Sequence, residues 1–178
     1  GHSIYIFIEK RDGEMSRSRL NRNSFGSLWN QTFTYYRRPA AMDVSFSDLN
    51  WIAIIAAIVV GQVLLTLWFT VLFGAPWAKA YGAENRAEHT KDVPGSAYGV
   101  GLACMIALVL VTALLHQAAQ VSGLSGGLIF GLIAAAGYGV ATVLPGYGFL
   151  LKSGAGRIAA GSQAAAILVV SLVLSAFG

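Results

Sequence analysis

Four apolar runs, residues 50–73, 97–119, 124–144 and 155–177, fill almost everything after residue 49, and none has an acidic or basic side chain at its middle. A helix rises about 1.5 Å per residue, so about 20 residues cross the roughly 30 Å hydrocarbon core of a bilayer. Inside that core a peptide group finds no water, and each run must satisfy its own backbone hydrogen bonds as a helix. The predicted fold is therefore all-α: a polytopic membrane protein whose four transmembrane helices form an up-down bundle. Composition agrees. Of 178 residues, 56% are hydrophobic and 11% charged, against about 25% charged in ordinary soluble domains. Such a chain has too little polar surface to cover itself in water. Its length allows one four-helix unit and no separate soluble domain.

Charge is distributed unevenly. Residues 1–41 hold seven Lys/Arg against three Asp/Glu, a net +4, whereas residues 42–178 hold five of each. The division expected is a basic leader over 1–41, disordered or not native, and a four-helix transmembrane domain over 42–178. Between Ser16 and Ala41 there is no acid, while Arg17, Arg19, Arg22, Arg37 and Arg38 alternate with polar residues. Three readings stay open. Met42 is the physiological start; or the leader is a disordered basic tail on anionic lipid, each Arg contributing about 1 kcal/mol; or it is an organellar transit peptide, Arg- and Ser-rich and poor in acids. Residues 4–8 are strand-like but too short to span. Asn30-Gln31-Thr32 fits a glycosylation acceptor, a triplet common by chance. A basic tail without a recognition module gives no case for nucleic acid.

Asn50 is suited to start the first helix, with Trp51 at interface depth. Gly74-Ala75-Pro76 is expected to break that helix, Val121-Ser122-Gly123 to turn between the second and third, and Pro145-Gly146 to end the third. Basic residues favour the cytoplasmic side. Loop 74–96 carries Lys79, Arg86 and Lys91, loop 145–157 carries Lys152 and Arg157, and the other loop carries none. Both basic loops are thus expected in the cytoplasm, in a plasma (inner) membrane, with both termini outside. The basic leader would pull the N-terminus inward, and that conflict speaks against its being native.

Helices in lipid associate through close backbone approach and interhelical hydrogen bonds. Gly127, Gly131, Ala135 and Gly139 recur every four residues and read as a packing seam, with self-association its expected use. Gln62, Thr66 and Thr70 recur likewise and offer the hydrogen bonds. Buried ionisable residues mark pumps and proton relays; their absence here argues against ion-driven work. His116, with Gln117 and Gln120, reads as an interfacial polar cluster. Glu84, Glu88, His89 and Asp92 read as a solvated face, with a shallow polar site as the alternative. Cys104, the single cysteine, cannot form an intramolecular disulfide and reads as a small apolar filler. His2, His89 and His116 share no metal-ligand spacing, so no metal is expected. Nor is there a nucleophile elbow, a phosphate loop or a dinucleotide fingerprint. No catalytic, cofactor or metal residue is therefore assigned, and an enzyme is not expected, for want of a nucleophile and base at matching depth.

The stretch Leu67-Trp68-Phe69-Thr70-Val71-Leu72-Phe73-Gly74-Ala75-Pro76-Trp77-Ala78-Lys79 resembles the opening signature of the domain-of-unknown-function family 1761: a Trp-aromatic pair ending the first membrane helix, Leu-Phe-Gly, then Trp followed by Lys. Gly127 through Tyr147 and Gly161 are similar, more loosely, to its second hairpin. The resemblance covers about 48–177. Pro145-Gly146 departs from a polar residue before the aromatic, and Ser162-Gln163 from a frequent Tyr-His pair. The family implies a small four-helix membrane protein and brings no established activity. Physically the signature reads as an interface lock, in which Trp68, Phe73 and Trp77 bracket the helix end and Lys79 reaches phosphate; a grip on a lipid is the alternative. The function expected is a packing or interaction module in the bilayer, partnered by lipid and by a second copy or another membrane protein. The alternative is a small oligomeric transporter or channel for a neutral or lipidic solute.

Overall fold

The computed structural model describes residues 5–9, 15–19, 44–91 and 93–177. The chain divides into two compact units, Gly1–Met42 and Asp43–Gly178. In the first, strands β1 (Tyr5–Glu9) and β2 (Met15–Arg19) pair antiparallel, Tyr5 opposite Arg19 and Glu9 opposite Met15. Arg22, Arg37, Arg38, the Asn30 triplet, Met42, His2 and Asp92 lie outside the described residues.

The second unit contains four helices long and apolar enough to cross a membrane: span one (Trp51–Leu72), span two (Gly95–Ala118), span three (Gly123–Phe149) and span four (Ser153–Ala176). Asn50 opens span one as its sequence suggests, its Oδ1 accepting from the Ala53 amide at 3.1 Å and satisfying an otherwise orphaned donor. Span one ends where expected, at Phe73, while one expected break falls elsewhere. Span one ends in a π-helical turn, Trp68–Leu72, and a short helix, Gly74–Ala80, starts at once. Pro76 stands in its first turn, where a missing amide is harmless. Pro145-Gly146 does not end span three, which runs on to Phe149. The third loop is therefore about 150–152 rather than 145–157. Proline removes one donor, but in a membrane helix the rest of the ladder has strong reason to persist.

Span four is the hub. It packs against each of the other three, while spans two and three touch each other little. Its sequence permits this: Ala155, Gly156, Ala159, Ala160, Ser162 and Ala166 are all buried and let neighbouring backbones come close. The core joins Ala53, Ile54 and Ala57 of span one, Met105, Val109 and Ala113 of span two, and Ala166, Val170 and Leu174 of span four.

The glycine stripe of span three lies inside the bundle. A Cβ on Gly127 would overlap Ser175 Oγ, one on Gly131 would sit 2.9 Å from Leu168 Cδ1, and one on Gly139 would sit 3.0 Å from the Ala164 nitrogen. It is a seam, as expected, but span four fills it, which leaves it unavailable to a second copy. The polar stripe of span one makes no interhelical bond among the described residues. Thr66 and Thr70 hydroxyls donate to the carbonyls of Gln62 and Thr66 on their own helix, at 2.9 and 2.7 Å. Gln62 Oε1 is buried without a partner among the described residues.

The alternation of spans gathers charge at one end. Lys79, Arg86, Lys91, Lys152 and Arg157 belong to the end that carries the first and third loops, where Lys152 Nζ donates to the Ala80 carbonyl at 3.3 Å. At the opposite end, which holds Asp48 and, among the described residues, no Lys or Arg, the Asn50 amide donates to the Phe177 carbonyl at 3.0 Å, and the Ser45 amide to Gln117 Oε1 at 3.2 Å.

Candidate functional site: an uncharged cleft between spans two and three

Because spans two and three diverge from a common hub, a cleft of about 700 Å³ opens between them. Ligand cavities typically measure about 300–1,000 Å³. Cys104, Leu108, Val111 and Leu115 form one wall, Phe130, Ala134 and Tyr138 the other, and Gln163 and Ile167 of span four line the cleft between them. No lining residue is charged. Both walls carry lipid-facing side chains, Val111 at 55% and Tyr138 at 71% exposure, so the cleft opens sideways into the bilayer.

Its polar groups are few. Thr112 donates to the Leu108 carbonyl at 2.7 Å and is satisfied. Gln163 is half-buried, and its amide makes no hydrogen bond with any described residue. Cys104 is exposed on the cleft wall, not packed inside as a filler; the first half of span two, Gly95 through Cys104, is exposed throughout.

The turns of span four around Gln163 are held by two π-helical segments. In span one the Phe73 amide donates to the Trp68 carbonyl at 2.8 Å, five residues back. In span three, Ala135–Val140 does the same, the Ala141 amide bonding to the Ala136 carbonyl. Both press on residues 158–164. The Trp68 indole N–H donates to the Ile158 carbonyl at 3.1 Å, and the ring covers Gly161, where a Cβ would meet Cζ2 at 3.0 Å. Gly139 lies against Ala164 and the Gln163 carbonyl carbon. Single π turns within membrane helices are frequent at functional sites. The sequence marks Gln163 only as a departure from the family's pattern, with no role of its own. Its signal was a long polar side chain at the midpoint of a membrane-length run.

The end of the cleft near Phe130 borders a second polar group. The Phe130 ring stands edge-on to His116, centroids 4.7 Å apart. His116 is buried, with Nε2 2.9 Å from Ser171 Oγ. Ser171 itself donates to the Gly127 carbonyl at 2.7 Å. A serine has one proton to give, so His116 must carry its proton on Nε2 and donate to Ser171. A serine and a histidine thus stand at one depth, with the imidazole donating to the hydroxyl and not accepting its proton. Ser171, however, is fully buried with its proton committed to a backbone oxygen, an arrangement that ties spans two, three and four together. Gln117 and Gln120 line a smaller cavity of about 220 Å³ with His116, Asp48 and Ser175 at the end opposite the basic loops.

At the basic end the aromatic signature is a chain of rings. Trp68 meets Phe73 at 4.6 Å, Phe69 meets Trp77 at 4.9 Å, Trp77 meets Tyr81 at 5.0 Å, and Tyr81 meets His89 at 5.0 Å. Lys152 Nζ sits 5.6 Å above the Tyr81 ring. Trp68 points into the bundle and not to the interface. Burial, then the Tyr147 hydroxyl, push the Tyr81 phenol up to about 12. Glu88 and Asn85 start a short helix, Arg86–Thr90: Asn85 Oδ1 accepts from the Glu88 amide at 3.0 Å, and Glu88 Oε2 accepts from the Glu84 amide at 2.6 Å.

No curated protein and no solved structure matches the chain. The model of a family described as protein of unknown function, DUF1761, matches residues 52–175. That match spans all but the edges of the four-helix unit, and with it the cleft, both π-helical segments and the aromatic signature: the chain belongs to the DUF1761 family.

Proposed function

We propose that the protein is a non-enzymatic interaction module of the bilayer, and that its working surface is the cleft between spans two and three. The cleft itself carries this reading: two membrane helices held apart on a rigid hub leave an uncharged recess that a guest enters from within the lipid. Binding is favoured over conduction by its length. From Gly101 to Leu115 the lining covers about 21 Å along span two at 1.5 Å per residue, short of the roughly 30 Å a path across the hydrocarbon requires. Placing the basic end in the cytoplasm of a plasma (inner) membrane follows from the same proposal, by the positive-inside preference. Replacing Ala134 with Trp tests the reading. An indole there fills the recess, so an apolar photoreactive probe in the membrane should lose its adducts on peptides containing Cys104 and Tyr138. Adducts unchanged by the filled cleft would refute it.

Self-association is a second reading, through the opposite face of span two. Gly95, Gly99 and Ala103 recur every four residues, and a Cβ added at Gly95 or Gly99 meets nothing within 4 Å. Gly99→Leu should abolish cross-linking between copies if that face is the contact, and undiminished cross-linking would exclude it.

A further inference from the structure

The cleft has one unusual feature for a lipid-exposed surface: a primary amide with no hydrogen-bond partner among the described residues. Gln163 stands in the middle of span four, at the level of Cys104 on one wall and Tyr138 on the other. Gly139, which backs onto Gln163 and Ala164, fixes that level. An amide in hydrocarbon carries a substantial penalty unless a partner satisfies it. The two π-helical segments hold the turn that presents it, so it cannot easily swing toward an interface. On the side away from the basic loops the recess continues past Val111 to Leu115 and Phe130 with no further open polar group in its lining, because Thr112 is self-satisfied.

We infer that the cleft holds a neutral single-chain lipid that carries a hydroxyl or carbonyl, its oxygen on the Gln163 amide and its chain running toward Leu115 and Phe130. The inference rests on the proposed role of the cleft and names its guest. Three observations select this class. The lining has no charge to pair with an ionised head. The amide offers both a donor and an acceptor, which a hydroxyl satisfies together. And the site lies at mid-depth, where the charged head of a phospholipid would have to leave the interface at a large desolvation penalty, whereas a neutral amphiphile would not. A second copy of the chain suits the site less well, since an apolar helix would leave the amide unpaired.

The test uses the full chain in phosphatidylcholine nanodiscs with three photoreactive probes of equal length: a diazirine-bearing long-chain alcohol, the corresponding alkane and the corresponding carboxylate. The alcohol should label peptides of spans two and three around Cys104 and Tyr138 more strongly than either other probe. Gln163→Leu should reduce alcohol labelling about tenfold, the effect of losing one hydrogen bond in hydrocarbon, and leave the alkane unchanged. Gln163→Asn, which keeps an amide, should recover part of the yield, showing that the loss is not misfolding. Equal labelling by alcohol and alkane, with no effect of Gln163→Leu, would overturn the neutral-lipid guest while leaving the cleft as an apolar recess. Dominant cross-links from the cleft peptides to a second copy would overturn it as well. Loss of all labelling differences on filling the cleft with Ala134→Trp supports both readings, and their persistence removes both.

Discussion

A glycine in this bundle either receives another residue or faces nothing, and the two kinds should behave oppositely. Gly139 lies against backbone atoms of Ala164 that cannot yield, and Gly127 against the Ser175 side chain. Gly139→Ala and Gly127→Ala should each destabilise the protein by about 1–3 kcal/mol, measured by unfolding in mixed micelles. Gly99→Ala, with open space around its Cβ, should be neutral or stabilising by about 0.5–1 kcal/mol through helix propensity. Equal losses at all three would mean that the seam is not where the structure places it. Tyr81 gives a pH signature. The folded protein holds its phenol neutral up to about 12, while an unfolded phenol ionises near about 10. Its contribution to stability is therefore complete below the lower value and lost as pH rises from the one to the other. Tyr81→Phe should soften the alkaline fall in stability, read from unfolding midpoints above about pH 10.

At the scale of elements the notable devices are the two π turns and the indole that links one of them to span four. Trp68→Phe keeps a ring over Gly161 but removes the N–H that reaches the Ile158 carbonyl. The expected loss is about 1 kcal/mol in unfolding experiments, with looser packing of the turn that carries Gln163; an unchanged midpoint would show that the bond is not used. How much of this could be read from the sequence depends on the element. The spans were legible because twenty apolar residues in lipid have one backbone solution. The Asn50 start was legible from local chemistry. The end of span three was not, because a Pro-Gly pair that breaks a helix in water need not do so where free carbonyls find no solvent. The periodicity of Gly127 to Gly139 showed a seam but not its partner, since any small-residue face on the chain or on a copy satisfies the same pattern. The divergence of spans two and three, and so the cleft, depends on which helix becomes the hub. That is decided by the small side chains of span four acting on three neighbours at once. Gln163 and the pairing of His116 with Ser171 were hidden for the same reason.

For the molecule as a whole, the collection of Lys79, Arg86, Lys91, Lys152 and Arg157 at one end makes sidedness measurable. In a Cys104→Ala background, a cysteine at Glu84 should react with a membrane-impermeant maleimide only from the cytoplasmic side, and one at Ser122 only from the other. The reverse pattern would reject the proposed orientation. The hub arrangement also has a consequence for how the protein is made. The helix that every other helix needs is the last of the four to be synthesised. Until it arrives, the Gly127 to Gly139 groove is empty and the His116 imidazole has no Ser171 to bond. Spans one and two can already meet through Ala53, Ala57, Met105 and Val109, but span three, whose seam span four fills, has to wait. Synthesis of span four and closure of the bundle are thus coupled, and a ribosome that stops before residue 153 leaves behind at most the pairing of spans one and two.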